Sequence, residues 1–137
     1  MIRGSCLCGD VRFEISGELS GGSHCHCSMC RKAHGAAFGT YAAARATDLR
    51  IVSGEDRITR YRSSPGIVRT FCARCGSTLH GLSESMPEIV DIVLGVLDDD
   101  PGIRPKRHIF VASKALWHEI TDRLPQHNTR PSKSKAD

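Results

Sequence analysis

Large aromatic side chains are scarce in this chain of 137 residues, which contains four Phe, two Tyr and one Trp. Aromatic rings therefore cannot fill much of a hydrophobic core. Long apolar runs are also missing, because the longest, over 89–97, is interrupted by Asp91 and is about half the length that a membrane span needs. The first ten residues hold no apolar stretch of the kind found in secretion signals. We therefore expect a soluble cytoplasmic protein of one domain, without a membrane partner.

A large excess of charge of one sign is absent as well. The chain has 19 basic and 15 acidic residues, and part of its net charge of +4 lies in the last twelve residues. A nucleic-acid-binding domain usually concentrates positive charge on one folded face, so nucleic acid is not an expected partner. Segment 126–137 has no apolar residue except Ala136. It is predicted to be a disordered basic tail that follows a domain of residues 1–125.

The local sequence pattern predicts a mainly β chain of short antiparallel strands with little helix. Val11, Phe13 and Ile15 alternate with charged residues, as in a strand with one buried face. Segment 49–62 is predicted to form a hairpin through 53–56, and Pro65 lies in a second turn at 64–66. The two arms of that hairpin are predicted to be strands over 49–53 and 57–62. Further strands are predicted over 36–43, 67–71, 77–82, 88–97 and 108–111.

Helical signals are few and local. Ser28 is predicted to cap a short helix that runs to Ala33 and ends at Gly35, since glycine adopts the left-handed conformation at low cost. A second short helix is predicted over 114–117. No apolar stripe of helical period extends beyond three turns, which excludes a helical bundle.

Cysteine is the abundant residue that stands out, with seven in the chain. A reducing cytoplasm disfavours disulfides, and an odd number of cysteines cannot pair completely. Tight clustering also argues against the ordinary role of free cysteines as small buried hydrophobes. We therefore expect them to bind metal. They form a first pair, Cys6 and Cys8, a triplet, Cys25, Cys27 and Cys30, and a last pair, Cys72 and Cys75.

Zinc chemistry divides seven thiolates into four and three. Structural zinc uses four protein ligands, whereas catalytic zinc uses three and keeps one position open. We prefer the first and last pairs for a closed site, because each pair can hold one ion with two sulfurs, and this leaves the triplet for an open site. The alternative joins Cys27 and Cys30 to the last pair, but the 41 residues between them exceed the about 15 to 20 of a compact zinc ribbon.

A histidine could instead close the triplet's site as a fourth ligand. His24 and His26 alternate with the cysteines, so on an extended segment their side chains point away from the sulfurs. His34 follows Cys30 by four residues, which on a helix places both on one face. This alternative would make the second site structural as well.

Three segments together resemble the glutathione-dependent formaldehyde-activating enzyme family, which also includes centromere protein V. They are GSCLCGDV at 4–11, CHCSMCR at 25–31 and RTFCARCGS at 69–77. Their order, spacing and flanking glycines match, and with weaker similarity at 95–99 and 114–117 the resemblance covers roughly residues 3 to 125.

The resemblance implies a zinc-bound fold of the β-tent type with two zinc ions per chain. It assigns Cys6, Cys8, Cys72 and Cys75 to a structural zinc, and Cys25, Cys27 and Cys30 to a catalytic zinc. It also implies the family's activity as a carbon-sulfur lyase, in which glutathione and formaldehyde form S-(hydroxymethyl)glutathione. A small thiol and a small aldehyde are then the partners of the protein. Activity transfers less readily than fold, so a non-catalytic zinc-scaffolded binding module and a redox or metal-handling protein are the alternative functions.

The sequence identifies no substrate-binding residue and predicts no oligomeric state. Cations that could bind the carboxylates of glutathione are Arg31, Lys32, Arg62, Arg69, Arg107 and Lys114, although each taken singly is typical of a solvated surface. The acidic run 98–100 precedes Pro101 and Gly102, which is typical of a turn rather than an acid-base site. Trp117 could lie over the open zinc, but a core position is preferred for it and for Tyr41 and Tyr61.

Overall fold

The computed structural model describes residues 1–131, which form ten short strands and one α-helix. The strands are β1 (Ile2–Ser5), β2 (Arg12–Ile15), β3 (Ser20–Cys25), β4 (Gly39–Arg45), β5 (Leu49–Ser53), β6 (Ile58–Ser64), β7 (Ile67–Cys72), β8 (Thr78–Ser83), β9 (Ile89–Val93) and β10 (Arg107–Ile109). Helix α1 spans Ser28–His34. The prediction of a mainly β domain with little helix is confirmed.

The strands form two sheets. The smaller has the order β1-β2-β5, and the larger has the order β10-β3-β4-β9-β8-β7-β6. All neighbouring strands are antiparallel except β10 and β3, which are parallel. This pair departs from the predicted antiparallel arrangement. The long connection between β9 and β10 allows β10 to enter the sheet in the same direction as β3.

The core lies between the two sheets, where one face of each is apolar. Phe13 of β2 is buried against the larger sheet, and its ring meets the ring of His80 edge to face at 4.7 Å. Gly4 of β1 allows this packing, because a Cβ atom there would lie 2.2 Å from the Phe13 ring. Leu79 and Ile92 are completely buried beside them. Phe13, the His80 imidazole and aliphatic side chains thus fill the centre, which agrees with the low content of large aromatic residues.

The predicted hairpin over 49–62 is wrong. Strand β5 pairs with β2 in the smaller sheet, whereas β6 pairs with β7 in the larger one. A left-handed Gly54 and a short 3-10 turn at Glu55–Arg57 carry the chain between the sheets. The apolar residues of β5 cover Phe13, because Ile51 lies opposite it in the smaller sheet. Strand β5 is therefore not available to pair with β6. The turn at Pro65 does connect β6 and β7.

Helix α1 is found where it was predicted, but its cap differs. Cys27, not Ser28, precedes the first turn, and its sulfur accepts a hydrogen bond from the Cys30 N–H at 3.2 Å. Gly35 ends the helix in the left-handed conformation with φ of 60°. The predicted helix at 114–117 is wrong, and a 3-10 turn at Val111–Ser113 lies just before it. Within residues 1–131, no helix is both long and apolar enough to cross a membrane.

The segment after residue 125 is hydrogen-bonded to the domain as far as Thr129. Gln126 forms a parallel bridge with His108, and the Phe110 N–H donates to the Thr129 carbonyl at 3.3 Å. The backbone of 126–129 thus extends the hydrogen bonding beside β10. Residues 132–137 lie outside the described part of the chain, and the domain boundary at 125 and the disordered tail stay predictions.

Candidate metal centres and active site

The first and last cysteine pairs meet at one end of the core. Cys6 and Cys8 follow β1, Cys72 ends β7, and Cys75 lies in the turn before β8. Their four sulfurs all lie within 4.8 Å of one another, with 3.5 Å from Cys6 to Cys8 and 3.9 Å from Cys8 to Cys72. Four sulfurs about 2.3 Å from a tetrahedral zinc ion are about 3.8 Å apart. The four-cysteine group therefore fits zinc.

Backbone geometry shapes both halves of the four-cysteine group in the same way. The Gly9 N–H donates to the Cys6 carbonyl at 3.0 Å, and the Gly76 N–H donates to the Cys72 carbonyl at 2.8 Å. Both glycines have positive φ, near 80°, which a side chain would oppose. The Val11 N–H also donates to the Cys6 sulfur at 3.2 Å. The two tight turns at Gly9 and Gly76 thus bring the four sulfurs together.

The triplet gathers on the larger sheet, where β3 passes into α1. Cys25 ends β3, Cys27 caps α1 and Cys30 lies in its first turn, and their sulfurs all lie within 4.8 Å of one another. Within residues 1–131, no histidine or carboxylate joins this three-cysteine group at that distance. The three-cysteine group therefore has the donor set of a zinc site with one position left for another ligand. Both groups could hold metal, and Cys27 and Cys30 lie in a different group from Cys72 and Cys75, contrary to the alternative pairing.

The three histidines considered as a fourth ligand have other neighbours. His24 shares a hydrogen bond of 2.7 Å with the Thr40 hydroxyl, and His34 lies 2.7 Å from the Tyr41 hydroxyl. His26 is buried and shares a hydrogen bond of 2.8 Å with His108. Burial, followed by the nearby His108, lowers the pKa of His26 to about 4, which keeps its ring neutral.

Sequence reasoning missed a polar network that contacts the three-cysteine group through Cys30. The Tyr41 hydroxyl donates to the Cys30 sulfur at 3.4 Å, and Arg69 donates to the same sulfur at 3.5 Å. Arg69 also donates to the Tyr41 hydroxyl at 3.0 Å and to the Ser63 hydroxyl at 3.1 Å. Tyr41 is therefore a site residue rather than a packing residue alone. The sequence indicates Arg69 only as one of six candidate cations.

The electrostatics of this network keep both donors protonated. Burial, reinforced by Cys30, raises the pKa of Tyr41, so its phenol retains the proton that it donates. Burial works against the charge of Arg69, but its hydrogen bond and charge interaction with Cys30 outweigh burial and raise the pKa of Arg69. A permanent positive charge thus lies against one sulfur of the three-cysteine group.

Strand register explains why these distant residues meet. Tyr41 lies opposite Val93 in the pair β4-β9, and Arg69 lies opposite Gly81 in the pair β7-β8. Both side chains belong to the face of the larger sheet that points away from the core, because their neighbours Ala42 and Thr70 are buried in it. Helix α1 covers that outer face and brings Cys30 onto it. The contact of Tyr41 and Arg69 with Cys30 can be predicted only from the strand pairing, and the sequence pattern does not give that pairing.

Other predicted candidates lie outside this network. Trp117 is 74% exposed and Tyr61 is 63% exposed, so the prediction that they are core residues is wrong. Arg62 forms an ion pair with Glu84, and Lys114 donates to backbone carbonyls. The run 98–100 does lead into a turn, in which the Gly102 N–H donates to the Asp100 carboxylate at 2.8 Å.

The fold and the two groups define a small β domain with two cysteine sites, one of four sulfurs and one of three. Residues 1–113 match the family model described as glutathione-dependent formaldehyde-activating enzyme, and the chain belongs to that family. The resemblance stated from the sequence is confirmed. The prediction of an enzyme of the carbon-sulfur lyase type is also confirmed at the level of the family.

Two curated relatives and one solved structure are similar to this chain. A protein of Halomonas elongata, named "Putative glutathione-dependent formaldehyde-activating enzyme", is 33% identical over 131 residues, which cover 90% of this chain and 83% of that protein. An uncharacterized lyase of Schizosaccharomyces pombe is 32% identical over 77 residues, 56% of this chain and 54% of that protein. The crystal structure of a Rhodobacter sphaeroides protein has a TM-score of 0.61 and 31% identity, covering 75% of this chain and 97% of that one.

Proposed function

We propose that this protein is a zinc-dependent enzyme that joins glutathione, or a similar small thiol, to formaldehyde or another small aldehyde at the three-cysteine group. One observation carries the proposal: three sulfurs converge beside two polar donors, and no fourth side-chain ligand from the described residues closes the group. A thiol substrate could therefore occupy the remaining position. The family name and the name of the Halomonas elongata relative support glutathione and formaldehyde as the substrates.

Cys25, Cys27 and Cys30 would hold the zinc. When bound, zinc supplies a Lewis-acidic position that favours the thiolate form of a thiol over the thiol. Three thiolates and one zinc ion carry a net charge of −1, and a thiolate substrate would make it −2. Arg69 offsets part of that charge through its contact with Cys30. The donor set thus suits the positioning of a thiol better than the activation of water.

The reaction needs no reagent other than the thiol and the aldehyde. The thiol sulfur attacks the aldehyde carbon, a carbon-sulfur bond forms, and the carbonyl π pair moves to oxygen. The proton lost by the thiol ends on that oxygen, giving a hydroxymethyl thioether. The chain's own contribution is to hold the thiol sulfur in a fixed place, since orientation removes much of the entropic barrier of a reaction between two molecules.

The four-cysteine group would have a structural role. It joins the turn after β1 to the turn after β7, and Cys6 and Cys72 in it are buried. A closed set of four thiolates leaves no position for a substrate. The cytoplasmic location predicted from the sequence would keep all seven thiols reduced for metal binding.

The Cys27→Ser substitution tests the proposal. Serine is a good N-cap, so α1 is expected to persist while the three-cysteine group loses one sulfur. With zinc present, the rate of adduct formation from glutathione and ¹³C-formaldehyde, followed by NMR, should fall to the uncatalysed rate. A folded variant that matches the wild-type rate would overturn the proposal. If the wild type itself gives no acceleration, the zinc-scaffolded binding module becomes the better description.

A further inference from the structure

A buried chain of hydrogen bonds leads from the surface to His26, the residue between Cys25 and Cys27. His26 Nε2 lies 2.8 Å from His108 Nδ1, and His108 Nε2 lies 2.9 Å and 3.1 Å from the two carboxylate oxygens of Asp122. The two histidines are 0% and 2% exposed, whereas the Asp122 side chain is 46% exposed. Nothing in the proposed reaction uses these three residues. Each nitrogen of two adjacent buried imidazoles needs a hydrogen-bond partner, because unpaired polar groups are costly inside a protein.

The carboxylate determines where the protons lie in this chain. An ionised carboxylate only accepts hydrogen bonds, so His108 must donate from Nε2. A neutral His108 then accepts at Nδ1, and His26 must donate from Nε2. This leaves a lone pair on His26 Nδ1, an atom that is buried and has no hydrogen-bond partner among residues 1–131. The alternative with a charged His108 would leave a buried N–H of His26 unpaired, and unpaired buried donors are rarer than unpaired acceptors.

The same elements clamp the segment that carries the cysteines. His26 lies between Cys25 and Cys27, and its backbone N–H donates to the Ile109 carbonyl of β10 at 2.9 Å. Cys25 itself lies opposite Ile109 in the parallel pair β3-β10. Both the backbone and the side chain of His26 are thus hydrogen-bonded to β10. A displacement of His108 would therefore also displace Cys25 and Cys27, which flank His26.

The C-terminal segment holds His108 in turn. The His108 N–H donates to the Pro125 carbonyl at 2.8 Å, and the His127 N–H donates to the His108 carbonyl at 2.9 Å. Asp122 completes the contact through its side chain. Asp122, Pro125 and His127 lie beyond residue 113, where the match to the family model ends. They contact His108 of β10 directly.

We propose that Asp122 and His108 are positioning residues. By fixing the tautomer and orientation of His26, they fix the separation of Cys25 and Cys27 and so the metal affinity of the three-cysteine group. The inference rests on the proposed function only in requiring that this group binds metal. A merely structural role for the histidine chain would lower global stability without separating the affinities of the two cysteine groups.

The test compares Asp122→Asn with the control Glu119→Gln, which removes an exposed negative charge from the same segment. Asparagine keeps the size of aspartate and the acceptor for the Leu124 N–H at 3.0 Å, so the local turn is expected to persist. Two quantities are measured on the full chain. Nitrogen-15 NMR of the imidazoles assigns the tautomers, and chelator competition with zinc, repeated with cobalt for its thiolate absorption, gives the affinity of each cysteine group.

The wild type should carry protons on Nε2 of both His26 and His108. Asp122→Asn replaces one of the two carboxylate oxygens that face His108 Nε2 with an N–H donor. It should weaken metal binding at the three-cysteine group by about tenfold, as changes of supporting hydrogen-bond partners do at other metal sites. Metal binding at the four-cysteine group, and at both groups of Glu119→Gln, should be unchanged. The inference is overturned if His108 carries its proton on Nδ1, or if Asp122→Asn binds metal at the three-cysteine group as tightly as the wild type. A wild type that binds metal only at the four-cysteine group would instead refute the proposed function.

Discussion

Replacement of Cys72 by serine should destabilise the protein far more than replacement of Cys27 by serine. Cys72 is completely buried and belongs to a group whose members Cys8 and Cys72 lie 64 positions apart in the chain. Closing a loop of that length removes chain entropy worth about 4 kcal/mol at room temperature, by the relation used for disulfide crosslinks. Because small domains have total stabilities of about 5 to 15 kcal/mol, the zinc-loaded protein should lose a large share of its stability.

The Cys27→Ser variant is the matched comparison. The three-cysteine group lies within residues 25–30, so a metal ion there crosslinks only a short loop and removes much less chain entropy. Serine can also replace the Cys27 sulfur as the cap of α1. We expect a loss of about 1 kcal/mol or less from the cap itself, with a further contribution from the lost metal.

Guanidinium chloride unfolding at equal zinc concentration measures both effects. Far-ultraviolet circular dichroism reports the strands, and metal content is measured before each titration. The account predicts a large fall in the midpoint for Cys72→Ser and a small one for Cys27→Ser. Equal falls, or a larger fall for Cys27→Ser, would refute the division into a structural and an open site.

Three further results are expected. Burial lowers the pKa of His80 to about 4, so the unfolded state binds its proton first, and this residue should cost about 3 kcal/mol of stability as the pH drops from about 6.5 to 4. In denaturant titrations His80→Leu should therefore make the loss of stability with falling pH smaller by about that amount, and an unchanged pH dependence would contradict this. Gly39→Ala places a Cβ atom 2.9 Å from the Tyr41 hydroxyl and should weaken zinc binding at the three-cysteine group in chelator competition, whereas Gly95→Ala, which meets open space, should not. Arg69→Gln should weaken the same binding by about tenfold and Arg69→Lys by less, and equal affinities for both variants and the wild type would contradict the role given to the guanidinium.

The cysteine groups could be anticipated from the sequence because ligand number is a local chemical constraint. Two pairs and one triplet of thiols divide into four and three whatever the fold, and the structure places the sulfurs of each set within 4.8 Å. Strands with alternating apolar residues, such as β2, could be found for a similar reason. Their periodicity follows from burial of one face.

Features that depend on strand pairing could not be anticipated. Strand β3 consists of Ser, Gly, His and Cys, so it lacks the apolar alternation that identifies a strand, and it is held instead by β4 and β10. The sequence pairs β5 with β6 because a short hairpin is a local preference. The structure pairs β5 with β2, since covering Phe13 depends on tertiary packing. Tyr41 and Arg69 meet Cys30 only through the order of strands β4, β9, β8 and β7.

A crystal structure of the zinc-loaded protein with glutathione tests the central claim most directly. The account predicts electron density for zinc at both cysteine groups, with the glutathione sulfur about 2.3 Å from the ion at Cys25, Cys27 and Cys30 and with Arg69 and Tyr41 still in contact with Cys30. A second zinc closed by a protein side chain, or glutathione bound away from the three-cysteine group, would contradict it.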